Sequence, residues 1–256
     1  VPPLAYRRSL AAVPPLVGPF DPTRIAGLRL FLRSDLEVTQ SGGLISAWND
    51  QSGNGNHATQ GTAALQPTSV ANVQNGLPAV RFDGSRFLSL AQEPFAQEFS
   101  VFAVFSTTHP TYQQAFIATD HTVTNALAIA GVSNNMGMCG SLLLSDGPND
   151  ITTVDTTVIV AATPYLFSAT SLSGWPARIF LNTNRNKPTV APTGHLGPLP
   201  ATYATNNWQI GAWYTGSFND HLLYGDLFAL ITYNRAVTER ERRYLCNGLN
   251  TLFGIY

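Results

Sequence analysis

Nine consecutive residues, Phe99–Thr107 (FSVFAVFST), carry apolar side chains at both parities: Phe99, Val101, Ala103 and Phe105 alternate with Phe102 and Val104. Successive strand residues point to opposite faces. A run apolar on both faces therefore belongs at the centre of a sheet that is covered on two sides. On either side of it, Gly, Pro, Asn and Asp cut the chain into short apolar runs. These predict strands at 27–32, around Leu44, Ile45 and Trp48, and at 57–60, 79–82, 87–90, 115–118, 127–129, 141–144, 157–163, 164–172, 178–181, 208–213 and 227–233. Asp83-Gly84-Ser85 is a hairpin signal between two of these runs, and 131–140 is expected to be a Gly/Asn/Met loop.

Composition fits one large β domain. With 256 residues, 44% hydrophobic content and 14 Phe, the chain has ample material for a core. Only 11% of residues are charged and the formal net charge is −1, which argues against a nucleic-acid binder, since that class needs a basic stripe. No apolar run approaches the length of a membrane span. Cys139 and Cys246 stand far apart and in no zinc-ligand spacing. Two buried free thiols are the default expectation, a bridge the alternative.

The ends of the chain differ from its middle. Residues 1–26 repeat VPPL at 1–4 and 13–16. Proline fixes φ and removes donors, so this segment is expected to be extended, with no sheet of its own. Leu4, Tyr6, Leu10, Leu16 and Phe20 make it too apolar for a purely solvated tail. They are candidate docking residues for a neighbouring subunit or for the chain's own sandwich. At the other end, Thr238 and Glu241 form a capping-box pattern ahead of an apolar stripe of Tyr244, Leu245, Leu249, Leu252 and Phe253, which predicts a helix over 239–252 ended by Gly254. The organisation expected is an arm, 1–26, and one β domain, 27–256.

One stretch stands out for its turn chemistry. WNDQSGNGNHAT at 48–59 opens on Trp48 and contains Asn54-Gly55, a pair suited to a tight type I′ reversal. Together with NGLPAVRFDG at 75–84 and YGDLFALITYNRAVTERERRYL at 224–245, it resembles the concanavalin A-like lectin/glucanase superfamily, in its laminin-G-like branch. The three blocks keep family order and span nearly the whole chain from Gly27. The resemblance implies an all-β fold: a two-sheet antiparallel jelly-roll sandwich with one C-terminal helix. It leaves activity open, because such a fold hosts lectins, glycosidases and virion proteins alike.

The residues themselves argue against catalysis. A retaining glycosidase needs two carboxylates about 5–5.5 Å apart, and none of the 15 acidic residues forms the E-x-D-x-x-E strand that delivers them. Ala229 stands where the family's closing strand often carries Glu. No G-x-S-x-G elbow occurs. Asp120-His121 and Asp220-His221 are neighbours, which point to opposite faces of a strand. No catalytic residue, metal ligand or cofactor is assigned, and Asp146–Asp150 (DGPND) reads as a plain turn. His57 reads as structural.

What remains is a binding surface. Trp213, Tyr214, Asp220 and His221 collect aromatic, carboxylate and imidazole groups in one inter-strand segment, with Trp175 in another loop, and these are the candidate ligand-binding residues. Trp208 reads as core. Two functions are expected. The first is a non-catalytic structural and interaction protein of a virion, such as a bacteriophage decoration, spike or tail component, joined to other subunits or to copies of itself through its arm. The alternative is an extracellular carbohydrate-binding or adhesion module that meets a cell-surface glycan. A glycosidase or lyase is a distant third.

Overall fold

The computed structural model describes residues 18–111, 114–119, 126–133, 138–145, 150–154, 159–172, 178–182, 207–214 and 219–256. Its elements in chain order are β1 (Leu28–Arg33), β2 (Val38–Ser41), β3 (Leu44–Trp48), β4 (Ala58–Thr59), β5 (Thr68–Gln74), β6 (Leu77–Asp83), β7 (Leu88–Leu90), β8 (Phe99–Thr107), β9 (Gln114–Ala118), β10 (Ala126–Ser133), β11 (Met138–Ser145), β12 (Asp150–Val154), β13 (Tyr165–Ser171), β14 (Arg178–Leu181), β15 (Trp208–Ile210), β16 (Trp213–Tyr214), β17 (Asn219–Asp220), β18 (Tyr224–Tyr233) and the helix α1 (Glu239–Phe253). All strand pairings are antiparallel. The fold is an all-β sandwich with one C-terminal helix.

A single curled sheet makes both layers. Its front half runs β12-β11-β10-β9-β15-β7-β4-β3 and its back half β5-β6-β18-β8-β13-β14, joined where β3 meets β5 at Leu44 and Thr68. One apolar cluster fills the space between the halves and includes Trp48, Phe99, Phe105, Phe116, Phe167, Trp208 and Leu230. A second lies outside the back half, where Phe102, Val104, Phe228 and Ile231 meet Leu245, Leu249 and Phe253 of α1. The alternation in β8 is thus divided between two cores, as its sequence requires. Residues 18–25 add to the second cluster through Phe20 and Ile25.

β18 is the hub. It pairs with β8 along one edge, and along the other with β6 through Tyr224–Leu227 and then with β1 through Ala229–Tyr233. A bulge between Leu227 and Ala229 shifts the register at the handover. Phe228 and Ala229 consequently both face the helix, while Leu227 and Leu230 face the inner core. Ala229 is fully buried.

Several expectations need correction. Asn54-Gly55 makes no tight turn, because β3 and β4 separate after the Trp48–Ala58 pair and Asn54 has no positive φ. The two-residue reversal forms instead at Asn75-Gly76, with φ of 49° and 76°, closing Gln74 against Leu77. Asp83-Gly84-Ser85 is no hairpin: β6 pairs with β5 and β18, whereas β7 crosses to the front half and pairs with β4 and β15. Gly84 is needed there for its φ of 80° and because the Tyr224 ring lies where a Cβ would be. The expected 131–140 loop shrinks, since β10 extends to Ser133 and β11 starts at Met138. In the expected 157–163 strand, residues 159–163 are coil and turn. Asp150, read as part of a turn, opens β12. The expected 208–213 strand is broken at Gly211, whose φ is 85°.

The helix follows its sequence signals. Thr238 and Glu241 form the reciprocal capping box and Gly254 closes the helix in the left-handed region. Glu239 accepts from both Arg242 and Arg243 at 2.8 Å, and the bond from Arg242 pulls its carboxyl down to about 2. Arg242 is buried, and its guanidinium lies 3.9 Å from the centroid of the Phe180 ring. Cys246 is a buried free thiol, pushed up to about 11 by burial. The side chain of Cys139 lies outside the described residues. None of the described helices is long and apolar enough to cross a membrane.

Candidate functional site

The 48–59 motif proves to be an anchor for the loop between β3 and β4. Asp50 is its centre. One carboxylate oxygen accepts from Phe31 N and Ser52 N at 2.9 Å, and the other from Ser52 Oγ at 2.6 Å and Asn56 N at 3.1 Å. Asn54 Nδ2 donates to the Leu28 and Arg29 carbonyls of β1, and Asn56 exchanges two bonds with the Gln92 backbone. His57 accepts the Asp50 amide at Nδ1, a structural role. Trp48 is fully buried and donates from Nε1 to Arg33 O at 2.9 Å. Asp50, Ser52, Asn54 and Asn56 thus hold the loop against β1 and the chain near Gln92, while His57 braces it from within.

The other face of the molecule differs. Along β15, Trp208 and Ile210 point into the inner core, so Gln209 between them points out of the front half. Pairing registers place Gln209 in one row with Ser89 and Thr59 on one side and Ala118 and Ala128 on the other. At about 4.8 Å per strand, this five-strand row extends roughly 19 Å. Its members are small or uncharged. Gln209 is only 6% exposed, and its Oε1 has no hydrogen-bond partner. Nearly all buried polar groups in native proteins are partnered, so an orphaned carbonyl aimed off the sheet marks a place where a donor is missing.

The sequence candidates border this row. Trp213 packs on Ala115, Ala118 and Ala128, so its indole covers the end of the row. Of the candidate ligand-binding residues, Trp213 is thus a buried one, 3% exposed. The His221 ring packs against it at a tilt of 51°, with ring centroids 5.0 Å apart, and His221 takes a φ of 46°. Tyr214 and Asp220 lie on the β16–β17 ribbon, where Trp213 faces Asp220 and Tyr214 faces Asn219. Trp175 falls outside the described residues, as do Leu4, Tyr6, Leu10 and Leu16. Trp208 is core, as expected. Sequence reading did not single out Gln209; its only local signal is a polar residue alternating with Trp and Ile.

Among the other carboxylates of the described residues, Asp226, Asp35 and Asp83 have structural partners. Asp226 binds Arg81 in a two-pronged pair at 2.7 and 2.9 Å, Asp35 binds Arg33, and Asp83 binds Ser85 and Arg86. Among the described residues no three His, Cys, Asp or Glu side chains gather as a metal site would require.

Solved structures share this architecture. Domain 4 of AbnA, a GH43 extracellular arabinanase from Geobacillus stearothermophilus in complex with arabinotriose, superposes with a TM-score of 0.60 at 14% identity, covering 86% of this chain and 98% of that domain. The sialidase of Trypanosoma rangeli gives 0.57 at 15% identity over 89% of this chain and 34% of its own. The CBM40 of the Ruminococcus gnavus IT-sialidase, bound to α2,3 sialyllactose, gives 0.52 at 10% identity over 64% of this chain and 92% of its own. The likeness is one of fold. This chain spans about a third of the sialidase but nearly all of the arabinanase domain and the CBM40. No protein-family model and no curated protein matches the sequence.

Proposed function

We propose that this chain is a non-catalytic, extracellular carbohydrate-binding module of the concanavalin A/laminin-G type, holding a glycan along the outer face of its front sheet. The observation that carries the reading is the buried, unpartnered Oε1 of Gln209 at the centre of an uncharged row. A sugar hydroxyl is the donor such a carbonyl lacks, and the row opens to solvent on the side away from Trp213, through half-buried Ser89 and exposed Thr59. Trp213 closes one end and belongs to the β16–β17 ribbon, which carries Tyr214 and Asp220. The fold neighbours add support, since the arabinanase domain was solved with arabinotriose and the CBM40 with sialyllactose.

Absence of catalysis rests on the carboxylates. Asp50, Asp226 and Glu239 are each tied to structural donors, and among the described residues no acidic pair is spaced along one strand as hydrolysis needs. None of the three fold neighbours described above is a virion protein, whereas the arabinanase is extracellular, which favours the extracellular reading.

The test is a glycan array followed by calorimetry on arabino-oligosaccharides and sialyllactose. Binding to at least one class is expected, with no reducing sugar released. Gln209→Ala should lose about tenfold or more in affinity, the worth of one hydrogen bond plus the lost contact, with an unchanged circular dichroism spectrum. No binding to any glycan, or equal binding by Gln209→Ala, would sink the proposal.

A further inference from the structure

The N-terminal segment enters the described fold at a groove. Gly18, Pro19 and Phe20 form one wall, and Arg240, Tyr244, Gly248 and Leu252 of α1 form the other, enclosing about 550 Å³. This lies within the range of ligand-sized clefts, roughly 300–1,000 Å³. The root of the segment is fixed there. The Phe20 ring occupies the space above Gly248 where any Cβ would collide, and sits 6.2 Å from the Tyr244 ring. The Tyr244 hydroxyl donates to Pro19 O at 3.0 Å and accepts from Asp21 N at 2.9 Å. Deeper in, Tyr233 donates to Pro22 O at 3.0 Å.

We propose that this groove is the seat of residues 13–17 (VPPLV) of the same chain, which strap the outer face of α1. Three observations favour this occupant. The strap is covalently delivered, because Gly18 itself lines the groove, so its effective concentration there is in the millimolar range. Its chemistry matches: a proline-fixed extended segment fits an aromatic-walled groove, as proline-rich ligands do elsewhere, and it loses little entropy on docking. Its length also matches. Five residues in polyproline geometry cover roughly 15 Å, against roughly 22 Å for the 15-residue helix. The arm is then a clamp on its own sandwich, with Leu16 as its apolar plug beside Leu252.

Disulfide trapping in the full-length protein tests this. Leu16→Cys combined with Thr251→Cys should close a bridge within one monomer on the order of tenfold faster than Leu16→Cys combined with Thr59→Cys on the opposite face. The single variant Leu16→Cys controls for pairing with Cys139. Equal rates for the two pairs would overturn the proposal, as would a bridge that appears only in covalent dimers. Hydrogen exchange gives a second readout: Leu16→Asp should raise exchange in the 247–252 stretch of α1, and unchanged protection there would count against the strap.

Discussion

Asp50 offers the sharpest test of how the fold is held. Its carboxylate accepts four hydrogen bonds, of which those from Phe31 N and Asn56 N are buried and those from Ser52 are half-buried. Asp50→Ala removes all four acceptors at once. Water can reach the Ser52 donors but not the two buried amides, each of which then costs about 1–3 kcal/mol. The expected loss is therefore roughly 2–6 kcal/mol, a large share of the ~5–15 kcal/mol that holds a typical domain. Asp50→Asn discriminates further. It keeps one oxygen for Phe31 N and Ser52 N but turns an NH₂ toward Asn56 N, leaving one buried donor unmet at about 1–3 kcal/mol. Urea denaturation followed by tryptophan fluorescence reads both, as a midpoint shift with an unchanged slope. The expected order is wild type, then Asn, then Ala. If both variants fall within about 0.5 kcal/mol of wild type, as surface changes do, the loop is not anchored by this carboxylate.

Three further outcomes follow from the same structure. Trp48→Ala should cost ~3–5 kcal/mol, since it empties a fully buried site and orphans Arg33 O; a denaturation midpoint close to wild type would contradict that. Glu239 has its folded value depressed to about 2 from an ordinary 4.5. Its stabilising contribution is therefore complete above 4.5, fades as pH falls toward 2 and is absent below, and Glu239→Gln should flatten acid unfolding across that window. Cys246, raised to about 11 by burial, should resist alkylation in native protein at neutral pH and react once unfolded, as peptide mass spectrometry would show.

Some of this architecture was legible in the sequence because it is local. The two-faced run of β8 and the capping box of α1 depend on spacing within a few residues, and both form as their patterns require. The two Asn-Gly pairs show where local reading stops. Asn75-Gly76 sits between strands that pair at once through Gln74 and Leu77, and it makes the tight reversal. Asn54-Gly55 is chemically identical, but Ser52 and Asn54 find partners on β1 more than twenty residues earlier, and those bonds open the turn into an anchored loop. The same limit applies to Asp83-Gly84-Ser85, where a turn signal cannot say whether the next strand returns or crosses to the other layer. Gln209 was illegible for a related reason. Its significance depends on which strands flank β15, and those come from residues 88–90 and 114–118.

The placement of β18 bears on how the chain acquires its fold. The strand that joins β1, β6 and β8 is made of residues 224–233, and its partner Leu28 lies about 200 residues earlier. During synthesis the back layer therefore has a gap at its centre until almost the whole described chain has emerged. Until then β6 and β8 expose unpaired backbone edges and an apolar surface that α1 has yet to cover. Closing so long a loop is slow, and unpaired edges invite association with other chains. The C-terminal 33 residues from Tyr224 on thus act as a latch, and truncations that remove them should yield aggregates rather than a smaller domain.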